Sequence, residues 1–256
     1  MAVTYKDEGP LGFITLDKPP ANSYDLAFMT EFSEAVDDAL VGATRVVIVQ
    51  SASEKFFSAG ADIKKFLEGD ISSNMEMIKV SQAAFRRIAS APQVFIAHIA
   101  GHALGGGFEV ALACDIRLAT AGLYKMGLPE VTLGLLPGNG GTQRLTRLIG
   151  PSRALELLIT GRTFSVEEAR EIGLVADVYN AEQAGEKVRE YAARLASGPG
   201  MAIAAIKRCV HEGGELSLAN GLALEAELME QLFKSKDADE GLHAFVEKRK
   251  PEFVGA

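Results

Sequence analysis

The run His102-Ala103-Leu104-Gly105-Gly106-Gly107-Phe108-Glu109, continuing through VALACDIRLAT to Thr120, is a glycine triplet that opens into an apolar helix with a carboxylate just inside it. A helix start without Cβ atoms lets free N–H groups come close to a bound oxygen, and the helix dipole favours negative charge there. Glu109 follows Gly106 by three residues, so it shares a helical face with that N–H and lies beside whatever oxygen it holds. The spacing therefore places an oxyanion donor next to an acid or base. Just upstream, Val94-Phe95-Ile96-Ala97 is a short β-rich run.

Outward from this stretch, Phe57-Ser58-Ala59-Gly60-Ala61-Asp62-Ile63-Lys64 follows the strand-like Arg45–Gln50 and is a candidate second donor. Downstream, Gly127-Leu128-Pro129-Glu130 offers a second carboxylate in a turn bounded by Gly and Pro. Gly12–Leu16 reads as a strand, and Asp25–Leu40 sets Leu26, Met29, Phe32, Val36 and Leu40 on one helical face. Leu174–Val178 reads as another strand, after a helix capped by Ser165. Strands alternating with helices argue for an α/β architecture. After Gly198-Pro199-Gly200 the strand signals stop, and 201–210, 216–233 and 238–248 read as helices, the last with Asp237 and Glu240 as a capping pair. The expected division is a core over 1–197 and a helical module over 198–256.

Composition narrows the function classes. Of 256 residues, 48% are apolar and 23% charged, which is ordinary for a globular protein and argues against disorder. Lys and Arg number 26 against 34 Asp and Glu, a formal charge of −8 that gives no electrostatic footprint for nucleic acid. A polyanionic ligand would need local basic residues. Cys114 and Cys209 have no metal-ligand spacing and are expected as buried thiols in a reducing compartment. The N-terminus has no hydrophobic signal core, and no run suits a bilayer span, so a cytoplasmic location is expected.

Other motifs are set aside on their chemistry. His98 and His102 have helical zinc spacing but straddle a strand end and a glycine, so no metal site is expected. Pro137-Gly138-Asn139-Gly140-Gly141-Thr142 is similar to a phosphate-cradling loop, yet no P-loop lysine follows; its backbone is expected to line an apolar pocket. A G-x-S-x-G nucleophile elbow is absent.

Four segments in order, FSAGADIKKF, HALGGGFEVALACDIRLAT, GLPEVTLGLLPGNGGTQRLTRLIG and GLHAFVEKRKPEF, resemble those of the enoyl-CoA hydratase/isomerase, or crotonase, family. The resemblance implies an α/β, crotonase-like spiral of ββα repeats with a C-terminal helical module. It implies acyl thioesters of coenzyme A as ligands, coenzyme A arriving as part of the substrate and no prosthetic group being needed. By the same resemblance, the N–H groups of Ala61 and Gly106 hold the thioester oxygen, Glu109 orients and deprotonates water, and Glu130 protonates Cα. Ala59, Gly60, Ala61, Asp62, Ile63 and Lys64 would run along the coenzyme, with Lys248 as a further contact. Tyr24, Gly105, Pro129, Leu136 and Gly138 would line the acyl pocket.

The implied reaction is hydration of a 2-enoyl-CoA to a 3-hydroxyacyl-CoA, as in the β-oxidation of fatty acids. Double-bond isomerisation, an RNA-binding member of the same fold and a peptidase on a related spiral are the alternatives. The paired glutamates favour hydration over isomerisation, and the acidic balance opposes RNA binding. Where many members carry R-P-x-A-L-N-A-L, this chain has Lys18-Pro19-Pro20-Ala21-Asn22-Ser23-Tyr24-Asp25, one residue shorter, which puts substrate choice in question. Tyr24 is expected to pack on the following helix, its hydroxyl facing the acyl group being the alternative. Leu216, Leu218, Leu222, Leu224, Leu228, Leu232 and Phe233, with Leu242, Phe245 and Val246, exceed what a terminal hairpin buries unaided. With the family resemblance they imply a homotrimer or a homohexamer built as a dimer of trimers.

Overall fold

The computed structural model describes residues 1–255. A hairpin of β1 (Val3–Glu8) and β2 (Leu11–Leu16) leads into α1 (Leu26–Leu40), and three turns of similar plan follow. Each sends one strand to a large sheet, one to a small sheet, and then a helix. The first is β3 (Val46–Ser51), β4 (Phe56–Ser58), α2 (Ile63–Glu68) and α3 (Ile71–Ser90). The second is β5 (Val94–Ile99), β6 (His102–Leu104) and α4 (Gly106–Ala113). The third is β7 (Ile116–Thr120), β8 (Met126–Gly127), a 3-10 turn (Glu130–Leu133), α5 (Gly141–Ile149) and α6 (Pro151–Thr160). The chain then runs through α7 (Val166–Glu171), β9 (Asp177–Tyr179) and α8 (Ala184–Ala196) to α9 (Gly200–His211), α10 (Leu218–Leu232) and α11 (Lys236–Glu247).

The large sheet has the order β1-β2-β3-β5-β7-β9 and the small one β4-β6-β8. All neighbours are parallel except β1 and β2. A parallel strand covered on both faces needs a near-continuous apolar run, which Val46–Val49 of β3 and Val94–Ala97 of β5 supply. Val47, Val49, Phe95 and Ala97 join the main core with α1, α3 and α4, whereas Val46, Ile48, Val94 and Ile96 pack with Val188, Ala192 and Ala196 of α8. This spiral is the ββα architecture expected from the sequence, with the repeat carried by geometry rather than by residue identity.

Three local expectations are corrected. The strand expected over Leu174–Val178 starts only at Asp177, because Leu174 N–H and Val175 N–H go to Ala169 O and the Leu174 carbonyl accepts from Arg117 Nε at 2.7 Å. Those groups are spent before any ladder forms. Ser235, not Asp237, caps α11 by accepting from Ala238 N–H. Asp237 instead takes the Val254 N–H at 2.7 Å, and Glu240 pairs with Arg249. Cys114 is buried at the end of α4, but Cys209 is only half-buried on α9.

The terminal helices are tied to the spiral by a buried cation. Lys207 of α9 donates to the carbonyls of Ile88 and Gln93 at 2.7 Å and pairs with Asp115 at 2.8 Å. Among the described residues no helix is long and apolar enough to cross a membrane.

Candidate active site

The backbone after β4 and the start of α4 meet at two glycines. Gly60 has φ +88°, a conformation that L side chains rarely adopt, and a Cβ there would stand 2.8 Å from Leu104 O and 3.2 Å from Gly106 N. The Gly60–Ala61 strand end therefore lies directly against the first residue of α4. Tyr24 brackets this end with its backbone, its N–H going to Gly60 O and its carbonyl accepting from Asp62 N–H. That pairing leaves the Ala61 N–H on the other side, without a partner among the described residues. The Gly106 N–H is likewise unspent among them, because it is the first of the orphan donors at a helix start.

Glu109 lies in the first turn of α4, a helix whose eight residues are all buried. Its Oε1 accepts from Asn139 N–H at 2.8 Å and Gly141 N–H at 2.7 Å. Burial pushes its carboxyl above the usual range, and these two N–H groups oppose that shift. Glu130, at the start of the 3-10 turn, brings Oε1 to 3.0 Å from where a Cβ on Gly105 would stand. Its Oε2 is buried with no hydrogen-bond partner among the described residues. Burial first, and the nearby charge of Glu109 as well, push the Glu130 carboxyl up to about 7. One carboxylate is thus held by donors and the other is left short of them.

The loop before α5 has a contact that its sequence did not announce. Its amides grip Glu109 instead of only lining a pocket, and Arg144 braces it by donating to Asn139 O at 2.8 Å. The anion that its backbone amides hold is thus an internal carboxylate. Asn139, Gly141 and Arg144 were not singled out from the sequence as site residues. Neither was Asn22, which is buried and donates through Nδ2 to Ser51 Oγ and Phe57 O, fixing the loop that carries Tyr24. Tyr24 packs on α1, its ring 6.4 Å from that of Phe28, and its hydroxyl also accepts from Asn139 Nδ2 at 2.9 Å. The packing expected of this residue on α1 is therefore observed, and its hydroxyl is bonded to the loop that holds Glu109.

Other candidates are more scattered. Asp62 caps α2 by accepting from Lys64 N–H at 3.1 Å, while the side chains of Ile63 and Lys64 are exposed. Pro129 is half-buried just ahead of Glu130, Leu136 is exposed, and the Gly138 carbonyl accepts from Gln82 Nε2 at 2.7 Å. Lys248 sits exposed at the end of α11 with φ +57°, and no hydrogen bond or ion pair among the described residues links it to the carboxylates. His98 and His102 lie on different sheets, bonded to Thr120 and to Lys125 N–H respectively.

The sequence and the fold have close counterparts. The family model for enoyl-CoA hydratase/isomerase matches residues 7–256. A probable enoyl-CoA hydratase of Bacillus subtilis is 40% identical over 245 residues, 94% of each chain. A crystal structure of an enoyl-CoA hydratase from Geobacillus kaustophilus superposes with a TM-score of 0.96 at 45% identity, covering all of this chain and 97% of that one. One from Bacillus anthracis gives 0.94 at 38% identity with full coverage of both. With the spiral, the facing glycine backbones and the buried carboxylates already in place, this chain belongs to the enoyl-CoA hydratase/isomerase family.

Proposed function

We propose that the protein is an enoyl-CoA hydratase, adding water reversibly to a 2-enoyl-CoA thioester to give the 3-hydroxyacyl-CoA. The observation that carries this reading is the unequal pair of a buried Glu109 and a half-buried Glu130 beside two unspent N–H groups on touching backbones. Hydration needs donors for a thioester oxygen that gains charge, a base for water and an acid for Cα. Ala61 N–H and Gly106 N–H are the donors in this reading. Glu109, stabilised as an anion by two backbone amides, takes a proton from water as its oxygen bonds to Cβ. Glu130 holds the other proton and gives it to Cα as the enolate collapses. Each turnover leaves Glu109 protonated and Glu130 ionised, so one proton must pass back between them before the next.

Coenzyme A enters only as part of the substrate, with Lys64 meeting its phosphates and no prosthetic group required. The exposed apolar faces of α10 and α11 support a trimer-based assembly through residues 198–256. The test is to assay the purified protein on a panel of 2-enoyl-CoA and 3-enoyl-CoA thioesters. Loss of the conjugated-thioester absorbance with formation of 3-hydroxyacyl-CoA is expected. Turnover confined to 3-enoyl substrates would replace hydration by isomerisation.

A further inference from the structure

Tyr24 touches the backbone of both proposed N–H donors and the loop that holds Glu109. Its backbone brackets Ala61 through bonds to Gly60 and Asp62 at 2.9 and 2.8 Å. Its hydroxyl occupies the space that a Cβ on Gly106 would fill, so position 106 has room for glycine alone while the phenol stands there. That same oxygen accepts from Asn139 Nδ2 at 2.9 Å, and the backbone N–H of Asn139 holds Glu109 Oε1. The ring is fixed by Phe28, and the residue is 3% exposed. Asn139 Oδ1 has no partner among the described residues, so the carboxamide is held through its Nδ2, which donates to Tyr24. Glu109 and Glu130 both act electrostatically on the phenol, and Arg144 holds the same loop from its other side.

We propose that Tyr24 is a positioning residue for hydration, a strut whose hydroxyl locks the Asn139 loop onto Glu109 while its backbone and ring fix the two N–H donors. The proposal rests on the reading of Glu109 as the base. A phenol is needed because only its oxygen reaches Asn139; the ring alone would still stack on Phe28. Arg144 and Gln82 hold the loop at two carbonyls, and the phenol adds a tether at the Asn139 side chain; a displacement of about 1 Å at a reacting group costs on the order of 10² in rate.

The experiment compares Tyr24→Phe, Asn139→Ala and the double variant with the wild type. Tyr24→Phe is expected to lower kcat about 10- to 100-fold while changing KM less than about threefold. The double variant should be no slower than the worse single variant, because both remove one tether. The acid limb of kcat/KM should move to higher pH in both single variants as Glu109 loses well-aligned amide donors. Wild-type kcat in Tyr24→Phe, or losses that multiply in the double variant, would overturn the proposal.

Amide hydrogen exchange on the ligand-free proteins supplies a readout apart from activity. Asn139 and Gly141 amides should exchange faster in Tyr24→Phe while those of α8 stay unchanged; unchanged exchange at both would also overturn it. Should Tyr24→Phe fold poorly, Asn139→Ala, which keeps the Tyr24–Phe28 stack, is judged by Gly141 exchange alone, and an unaltered rate there counts against the strut. A wild-type protein that hydrates no thioester removes the functional reading, and exchange still decides on the strut.

Discussion

α4 and the α10–α11 pair are both rich in apolar residues, and they meet opposite fates. All eight residues of α4 are buried within the chain, whereas α10 buries only Leu228 of its fifteen residues. Leu218, Phe233, Phe245 and Val246 remain 68% exposed or more, beside a groove of about 840 Å³ lined by Ile206, Leu222, Met229 and Phe233. A helix surrounded by its own chain can hold a carboxylate at a fixed place in low dielectric. A helix pair with open apolar faces has surface left for another subunit. The first difference concerns chemistry and the second assembly, and each can be tested separately.

The largest effect is expected at α4. Glu109→Gln and Glu130→Gln should each lower kcat by about 10²- to 10⁴-fold, the usual weight of a general acid or base. Folding should survive, because amide for carboxyl preserves volume and relieves the burial of a charge. Thermal unfolding and steady-state hydration on the same samples check both halves. Near-wild-type turnover by either variant removes that residue from the mechanism and makes α4 only a packing element.

A smaller effect is expected on the terminal helices. Phe233→Asp places a charge in the groove, and losing one phenylalanine that assembly would bury, about 1.5–3 kcal/mol, should weaken subunit association about 10- to 100-fold. Sedimentation at micromolar concentration should show the wild type as a trimer-based oligomer and the variant shifted toward monomer. A monomeric wild type would mean that α10 and α11 stay uncovered, and the contrast with α4 would lose its explanation.

The two regions also differed in how far they could be read from sequence. The α4 stretch was legible because a glycine triplet, an apolar run and a glutamate three residues on have few other uses together. The spiral itself followed from the resemblance of four ordered segments, since β3 and β5 are nearly continuous apolar runs with no alternation to reveal their sheet. What stayed hidden depends on contacts distant in sequence. The bond from Asn139 to Tyr24 spans 115 residues and that from Lys207 to Ile88 spans 119. Asp237 showed the opposite failure, because its capping spacing was right and Val254 took the carboxylate. Local pattern located the glutamates, and long-range packing decided what holds them.

The pH dependence sharpens the contrast between the two carboxylates. The Glu130 carboxyl is pushed up to about 7 in the ligand-free protein, so if it is the acid, kcat/KM should fall about 15-fold between pH 7 and 8.5. The same group affects stability with a definite sign. Its folded value lies above its ordinary one of 4.5, so its favourable contribution is complete at low pH and is lost as pH rises through about 7. Glu130→Gln has no such loss. The melting temperature of the variant relative to the wild type should therefore rise from pH 5 to pH 8. A difference that stays flat with pH would place the proton elsewhere.

The smallest effect is expected at Lys64, in the first turn of α2. A cation at a helix N-terminus opposes the helix dipole, and this exposed ammonium is not needed to cap α2, a task that Asp62 performs. Lys64→Ala should accordingly leave the melting temperature unchanged, which isolates its effect on the substrate. A phosphate contact far from the reacting carbons is made alike in the ground and transition states. Its loss should raise KM about three- to tenfold while kcat stays constant. Added salt should shrink the difference, since an exposed ion pair is screened within about 8–10 Å. The deciding comparison is a thioester lacking the 3′-phosphate: if Lys64 meets that group, wild type and variant should bind the analogue equally. Were the variant to lose as much on the analogue as on the parent, the contact would lie elsewhere on the coenzyme. A fall in kcat with constant KM would instead tie α2 to the placement of the Ala61 N–H, and so to the chemistry of α4.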